Sequence, residues 1–298
     1  MSQEAACLTA PFAVKIIEEG FGSDLAKAEI DKLKRFEGEQ YQQRLIRLLC
    51  SFEYNLNFYL VFPWADANLE EFWRDKFPDT DDLRRGCGLA RWVAGEMLGL
   101  ARGLHLIHNP PPRNSSDGCI KGRHGDIKPE NILWFRGDSD PELNVAPGDN
   151  GPADKTGRPT GMLKICDFGL VDFHRKASAM VRPSKLNGRT HAYCAPECES
   201  LSGEYISPSY DSWSLGCVLL QFVTWYAQGW DGIEQFADKR RSFVKEFECG
   251  DLWEGMFFCR DRLTKEVSVK AAVHEVSASS APQDNEPHLG HWSLLMGP

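Results

Sequence analysis

A short polar stretch near the middle of the chain combines side chains that can carry out chemistry. It reads RHGDIKPENIL (123–133), and in it Asp126 is followed by Lys128 and Asn131. A carboxylate can take up a proton, and an ammonium group can neutralise negative charge that develops in a reaction. The same residues could instead be a turn-capping aspartate and a solvated surface lysine. Because Gly125 separates the histidine from the aspartate, the stretch alone does not distinguish a working site from the remains of one.

A lysine and a glutamate in the first part of the chain form a second candidate pair. The run FAVKII (12–17) predicts a strand with Lys15 among apolar residues, and the segment 23–36 predicts an amphipathic helix. Glu29 falls on the helix face that otherwise carries apolar residues. A buried carboxylate without a partner is costly, so we predict that Glu29 pairs with Lys15. The alternative is that Glu29 lies at the edge of this face, in contact with water.

The elements that must position these residues predict a two-lobed α+β fold. Segments 45–53 and 58–62 have strand character, and a long helix is predicted over 89–108. The apolar segment 214–227 predicts a buried helix that is too short to cross a membrane. We therefore expect a small strand-rich lobe with one helix, a connection near 63–68, and a larger, mainly helical lobe.

Composition excludes several classes of function. With 298 residues, 42% of them hydrophobic, the chain can form a large core. The net charge of −9 argues against general nucleic-acid binding, because a basic surface supplies most of that affinity. Ten cysteines without a CxxC pair favour reduced thiols in an intracellular protein. Without a secretory signal or a membrane-spanning segment, we expect no membrane partner and a cytoplasmic or nuclear location.

Four phrases stand in an order that resembles the eukaryotic-type protein kinase family. They are FAVK (12–15), HGDIKPEN (124–131), DFG (167–169) and APE (195–197). The resemblance covers about 12–226. The loop GRTHAYCAPE (188–197), with Thr190 and Tyr193, is similar to the substrate-facing loop of the serine/threonine kinases in this family. The resemblance implies a transferase that moves the γ-phosphoryl group of ATP, with Mg²⁺, to Ser or Thr hydroxyls of protein substrates.

The resemblance also assigns roles to single residues. Asp126 would be the general base, and Lys128 would neutralise charge on the transferred phosphoryl group. Asn131 and Asp167 would provide oxygen ligands for Mg²⁺. Lys15 would hold the phosphates of the nucleotide, with Glu29 as its partner.

The adenine-binding hinge would be formed by VFPWA (61–65). Phe62 matches the residue that guards the back of the nucleotide pocket. Pro63 lacks an N–H and would offer its carbonyl, and Ala65 would supply the N–H.

A buried framework is implied in the same way. Leu33, Leu48, Phe168 and His124 would stack in an apolar column, which makes His124 a packing residue. Asp211 would accept hydrogen bonds from the backbone of the Asp126 loop, or cap a helix, or do both.

The predicted domain organisation has three parts. They are an N-terminal tail (1–11), a kinase-like domain (12–263) with small lobe (12–62), hinge (63–68) and large lobe (69–263), and a partly disordered C-terminal tail (264–298). Residues before Phe12 include no glycine, so the family's Gly-rich phosphate loop and first two strands are expected to be missing. No arginine partner for Glu197 is found, so we expect a domain that is truncated at both ends.

Gly125 replaces the arginine that the family uses to contact a phosphate on the activation segment (167–197). By this pattern the chain resembles a non-RD kinase, and we expect that its activity does not depend in the usual way on phosphorylation of that segment. Two alternatives remain: a catalytically impaired pseudokinase-like binding or scaffold module, or a truncated kinase fragment. A small-molecule kinase is a more distant third. The sequence does not predict the oligomeric state.

Overall fold

The computed structural model describes residues 11–18, 23–38, 41, 43–77, 87–112, 120–136, 161–175, 191–199, 209–246, 255–261, 264 and 266–279. The chain divides into two compact units, residues 1–233 and 234–298. The first unit carries every candidate site residue. Among the described residues, no helix is both long and apolar enough to cross a membrane.

The first part of unit 1 is a three-stranded antiparallel sheet with one helix. The strands are β1 (Phe12–Ile17), β2 (Cys50–Tyr54) and β3 (Asn57–Pro63), in the order β1-β3-β2, and the helix is α1 (Ser23–Lys34). Alternating exposure along β1 is what a strand between two different environments produces. The register places Lys15 opposite Leu60, which is fully buried. Lys15 therefore lies on the face that packs towards the interior.

The second part of unit 1 is mainly helical. After β4 (Ala67–Asn68), a short helix α2 (Leu69–Glu71) continues as a π-helical turn (Phe72–Lys76), and α3 (Cys87–His108) follows. Two small sheets come next. They contain β5 (Ile120–Arg123), β6 (Ile132–Phe135), β7 (Met162–Ile165) and β8 (Asp172–Arg175), with the strand orders β4-β6-β7 and β5-β8. The strand-rich and helical parts confirm the predicted α+β class.

Helix α4 (Ser209–Glu246) contains the predicted buried helix but is much longer. Its dihedral angles break at Gly229, where φ is +70° and ψ is −164°. Glycine adopts this conformation without the steric penalty of a Cβ atom, so the chain can turn there and resume the helix.

Unit 2 contains the end of α4, a hairpin of β9 (Phe258–Arg260) and β10 (Val267–Val269), and helix α5 (Ala271–Ser279). The segment 264–298 was expected to be partly disordered, yet β10 and α5 lie in its first half. Residues 280–298, which include most of the polar stretch SASSAPQDNEP, lie outside the described residues. The domain boundaries at 263 and 264 stay a prediction.

The expected strand over 45–53 is wrong in its first half. Strand β2 begins only at Cys50. Leu45 instead forms an isolated parallel bridge with Ile165, and the Ile46 N–H donates to the Ile165 carbonyl at 2.9 Å. These apolar residues are buried against the second part of the unit, which explains their strand-like composition.

Aromatic side chains fill the core of the helical part. Phe72 contacts Trp134 and Trp225 with ring centroids 5.0 and 5.6 Å apart. The indole N–H of Trp225 donates to the Phe77 carbonyl at 2.8 Å. Aromatic pairs of this kind contribute about 0.5–1.5 kcal/mol beyond their buried area.

A buried ion pair joins the loop before β2 to helix α3. Arg44 Nη1 lies 2.6 Å from Glu96 Oε2, and the same oxygen accepts the Leu163 N–H at 2.7 Å. Burial raises the pKa of Glu96, although the Arg44 guanidinium and the Leu163 N–H act in the opposite direction. The guanidinium lies against Gly99, where a methyl group would collide with it. Gly99 therefore provides the space that this ion pair needs.

Replacing Gly99 by alanine should lower the free energy of unfolding by about 1–3 kcal/mol, because the methyl group displaces the cation beside Glu96. Gly95→Ala is the matched control on the same helix, since no atom lies within 4 Å of the added carbon. That control should instead gain up to about 1 kcal/mol from helix propensity. Denaturant unfolding curves of the three proteins measure both effects. Equal stability of the two variants would contradict this assignment.

Candidate active site

Strand β1, helix α1 and the turn after β7 bring three charged side chains together. Lys15 Nζ lies 2.8 and 3.1 Å from the two carboxylate oxygens of Glu29, and 3.1 Å from Asp167 Oδ1. The Glu29 side chain is 7% exposed, whereas those of Lys15 and Asp167 are 41% and 42% exposed. The predicted Lys15–Glu29 contact is present, and Glu29 does not lie at a wet edge of the helix.

The pKa values of Lys15 and Asp167 reflect this contact. Burial lowers the pKa of Lys15, but hydrogen bonding and attraction to Glu29, and then to Asp167, raise it above its usual value. Burial raises the pKa of Asp167, but the Lys15 ammonium and the Gly169 N–H hold it below its usual range. Each group therefore favours the charged form of the other.

The backbone after β7 turns sharply at Asp167. Its φ is +61°, a left-handed value that aspartate tolerates better than most residues. The Gly169 N–H donates to Asp167 Oδ1 at 3.3 Å, which holds the carboxylate in this turn. Phe168 points the other way and is 1% exposed. The turn thus separates a carboxylate at the surface from an aromatic ring in the core.

Lys32 fixes the same turn from helix α1, and the sequence analysis missed it. Its Nζ donates to the Gly169 carbonyl at 3.0 Å. Burial lowers the pKa of Lys32, although Asp172, Glu29 and Asp167 lie close enough to raise it. Its position one turn after Glu29 on the helix was the available signal.

The Asp126 loop forms a second charged group. Lys128 Nζ lies 2.9 Å from Asp126 Oδ2. The Asn131 amide donates to the Asp126 carbonyl at 2.8 Å and to Asp126 Oδ2 at 2.9 Å. Pro129 starts a single turn of 3₁₀ helix that ends at Asn131, and its fixed φ suits that position. Asp126 therefore contacts both Lys128 and Asn131.

Asp211 holds this loop from the start of helix α4. Its carboxylate is fully buried and accepts the His124 N–H at 2.7 Å and the Gly125 N–H at 2.8 Å. His108 Nε2 lies 3.0 Å from the same carboxylate. The predicted backbone contacts of Asp211 are present. Gly125 has φ +88°, so the conformation that offers its N–H to Asp211 favours glycine.

The predicted apolar column is only partly visible in the contacts. The rings of His124 and Phe168 meet edge to face with centroids 6.0 Å apart. Leu33 is buried in the same core, and Leu48 packs against that core while half-buried. His124 Nε2 lies 2.9 Å from the Cys166 carbonyl, so the ring is engaged by packing and by a backbone contact.

The pairing of β6 with β7 brings the two charged groups close together. These strands are antiparallel with Ile132 opposite Ile165. The Cys166 N–H donates to the Asn131 carbonyl at 2.9 Å, immediately before Asp167. Burial raises the pKa of the Cys166 thiol to about 12, so this neighbour stays uncharged.

The side-chain oxygens of Asn131 and Asp167 suit a hard cation that keeps most of its bound water molecules. Because the Asn131 NH₂ group points to Asp126, its amide oxygen is directed away from that carboxylate. Asp167 adds a carboxylate with two-fifths of its side chain exposed. Among the described residues, no group of three or more His, Cys, Asp or Glu could hold a metal ion alone. Two oxygen donors without a full cage fit Mg²⁺, which binds proteins through few ligands.

The predicted hinge residues lie at the end of β3. Pro63 is the last residue of that strand, and Ala65 follows in the connection to β4. Phe62, Pro63 and Ala65 are all half-buried. In the predicted substrate-facing loop (188–197), the Tyr193 hydroxyl donates to Gln221 Oε1 at 3.0 Å. Thr190 of the same loop lies outside the described residues.

Comparison with known proteins identifies the family. The model of the protein kinase domain matches residues 7–248, which is most of the chain. The chain belongs to the protein kinase family. This membership confirms the resemblance that the four phrases carried.

Several curated relatives are named as kinases. A probable serine/threonine-protein kinase, the KIN28 homolog of Encephalitozoon cuniculi, is 27% identical over 193 residues, covering 65% of this chain and 46% of that protein. The serine/threonine-protein kinase chk-2 of Caenorhabditis elegans is 36% identical over 134 residues, covering 45% and 21%. The rust resistance kinase Lr10 of Triticum aestivum is 25% identical over 216 residues, covering 72% and 28%. The matches thus span between about a fifth and a half of the length of these relatives.

Replacing Lys15 by methionine should lower the free energy of unfolding at neutral pH. The cost is about 1–2 kcal/mol, less than for a fully buried pair, because the exposed part of Lys15 is screened by solvent. The depressed pKa of Asp167 gives stability that is present above the usual aspartate pKa and lost as pH falls through the lower folded value. The raised pKa of Lys15 gives stability that is complete below the usual lysine pKa and lost as pH rises through the higher folded value.

The difference in unfolding free energy between wild type and Lys15→Met should therefore be largest between about pH 5 and pH 9. Urea unfolding at a series of pH values measures it. Lys34→Met is the control, because Lys34 is an exposed lysine on helix α1. A wild-type advantage that does not change with pH would contradict the ion-pair explanation.

Proposed function

We propose that this chain is an ATP-dependent protein serine/threonine kinase. The observation that supports this most directly is that six charged or polar side chains form two groups, with contacts between the members of each group. They are Lys15, Glu29 and Asp167 in one group, and Asp126, Lys128 and Asn131 in the other. Such an arrangement suits phosphoryl transfer, where catalysis consists mainly of positioning and charge neutralisation.

In this proposal Asp126 accepts the proton of the substrate hydroxyl and orients it for attack. Lys128, already in contact with Asp126, neutralises charge on the group being transferred. Lys15 is held by Glu29 in a position to contact phosphate oxygens, while Asp167 and Asn131 supply the ligands for Mg²⁺. ATP with Mg²⁺ would supply the phosphoryl group and neutralise its charge.

The finer features of the proposal come from the residues of the hinge and the substrate-facing loop. Phe62, Pro63 and Ala65 would contact adenine, with Pro63 as acceptor and Ala65 as donor. The GRTHAYCAPE loop (188–197) and the names of the relatives support Ser or Thr as acceptors. We further propose an intracellular location and protein substrates. The kinase-like domain would extend over 12–263.

A second candidate is a binding or scaffold module that retains the fold without catalysis. The observation in its favour is that β1 is an edge strand of the described three-stranded sheet, so that within the described residues no neighbouring strand carries a Gly-rich loop beside it. Such a loop normally brings backbone N–H groups to the phosphates, so nucleotide affinity should be reduced without it.

Replacing Asp126 by asparagine should lower phosphoryl transfer by about 10²–10⁴-fold, because the amide cannot accept the substrate proton. Nucleotide binding should survive, so ATP with Mg²⁺ should still raise the melting temperature of the variant. Radiolabel transfer and a thermal shift assay measure the two quantities separately. Asp238→Asn, an equal change of charge at a side chain that is 73% exposed, should leave both unchanged.

The outcomes of that experiment separate the two candidates. Transfer that survives in Asp126→Asn would contradict the proposed mechanism. A wild-type protein with neither a thermal shift nor transfer would favour the scaffold module.

Restoring an arginine at position 125 should change both stability and regulation. Both Gly125→Ala and Gly125→Arg should cost about 1–2 kcal/mol, because a Cβ atom is disfavoured at a positive φ. Only the arginine variant should make transfer depend on phosphorylation of the activation segment (167–197). Unfolding curves and assays before and after phosphatase treatment test this. Phosphatase sensitivity of the wild-type protein would contradict the assignment of Gly125 to regulation.

A further inference from the structure

The sheet of the small lobe has an exposed apolar face. We call it the outer face and define it by the ten residues that the strand registers place on one side: Phe12, Val14 and Ile16 of β1, Asn57, Tyr59, Val61 and Pro63 of β3, and Cys50, Phe52 and Tyr54 of β2. None of these residues is charged. The opposite face of the same sheet carries Lys15 and the buried Leu60.

Large side chains of the outer face are in contact with solvent. Phe12, Val14 and Ile16 are 57%, 43% and 53% exposed. Phe52 and Tyr54 are 50% and 62% exposed, although Phe52 stacks on Tyr59 with ring centroids 5.0 Å apart. Together these five side chains expose on the order of 500 Å² of apolar surface, which is as large as the functional patches of typical monomers.

Strands β1 and β3 are apolar on both faces apart from Lys15 and Asn57, whereas β2 carries Ser51 and Glu53 on the face opposite the outer face. Strands that are apolar on both faces occur where both faces are buried, whereas a solvated face alternates with polar residues. On the outer face, Val61 of the central strand is buried, whereas Phe12, Val14, Ile16, Phe52 and Tyr54 around it are exposed. Strands β1 and β3 therefore have the composition of strands that are buried on both faces, although the outer face of β1 is exposed.

We propose that the outer face is the interface of a homodimer, in which a second copy of this chain packs its own outer face against it. Two sheets pack face to face about 10 Å apart with strands nearly aligned, as in a β-sandwich. A two-fold axis through the middle of the patch would set apolar residues against apolar residues without opposing like charges.

The size and the charge of the patch favour a second copy as the occupant. About 500 Å² from each copy gives a total of about 1,000 Å², the lower limit for a specific interface. The absence of charge excludes a partner that would be recognised through ion pairs. Because each copy carries a net charge of −9 outside an uncharged interface, salt should screen the repulsion between copies and strengthen the dimer.

Sedimentation equilibrium of the 298-residue chain tests this without nucleotide, so the result is independent of the kinase proposal. The mass should rise towards that of two chains with increasing protein concentration, and more strongly at high salt. Ile16→Glu and Phe52→Glu should each weaken association by at least about tenfold, because each buries a charge at the interface. Leu98→Glu is the matched control, since Leu98 is 52% exposed on α3, away from the sheet.

Hydrogen exchange of the unmodified chain gives a second measurement that does not depend on the folding of a variant. Amides of β1 and β2 should gain protection with increasing concentration, whereas those of α3 should not. A monomer at all concentrations would overturn the proposal. So would a dimer that survives both glutamate substitutions, or one that protects other segments.

Discussion

The buried carboxylate of Asp211 is the constraint on which the arrangement of the Asp126 loop depends. It accepts two consecutive backbone N–H groups, from His124 and Gly125, and contacts His108 from a third direction. A carboxylate that is fully removed from water is stable only when such donors surround it. The hydrogen bonds of its backbone to Asp211 therefore hold the loop in place. The side chain of Asp126 is not needed for this and contacts Lys128 and Asn131 instead.

A second buried carboxylate does the same for the Asp167 turn. Glu96 binds the Leu163 N–H and the Arg44 side chain, and the Arg44 carbonyl accepts the Ile165 N–H at 2.9 Å. Strand β7 is thus held by a helix and by a loop just before the chain turns at Asp167. Both charged groups of the site depend in this way on a carboxylate in the core. Removal of either one would leave buried donors or a buried cation without a partner.

The sequence predicted most of the site because its residues lie in recognisable phrases. The α+β class followed from the order of strand-like and helical segments, and the Lys15–Glu29 contact followed from two charges within apolar runs. The sequence did not predict the roles of Arg44, which lies just before the segment predicted as a strand (45–53), or of Glu96, which is one acidic residue on a long apolar helix. Their contact depends on Gly99, and a close approach between distant segments has no local pattern. The full length of helix α4 was not predicted, because Gly229, where the helical dihedral angles are interrupted, resembles the end of a helix in the sequence.

Strand β1 connects the candidate active site to the exposed sheet face. Side chains alternate along a strand, so Lys15 points to the interior because Val14 and Ile16 point outward. Among the described residues, β1 pairs only with β3, and its position rests on that ladder and on the ion pairs of Lys15. An edge strand with one neighbour opens more readily than a central one. Whatever covers the outer face would restrict β1, and it would thereby reduce the entropy that is lost when Lys15 is held in place.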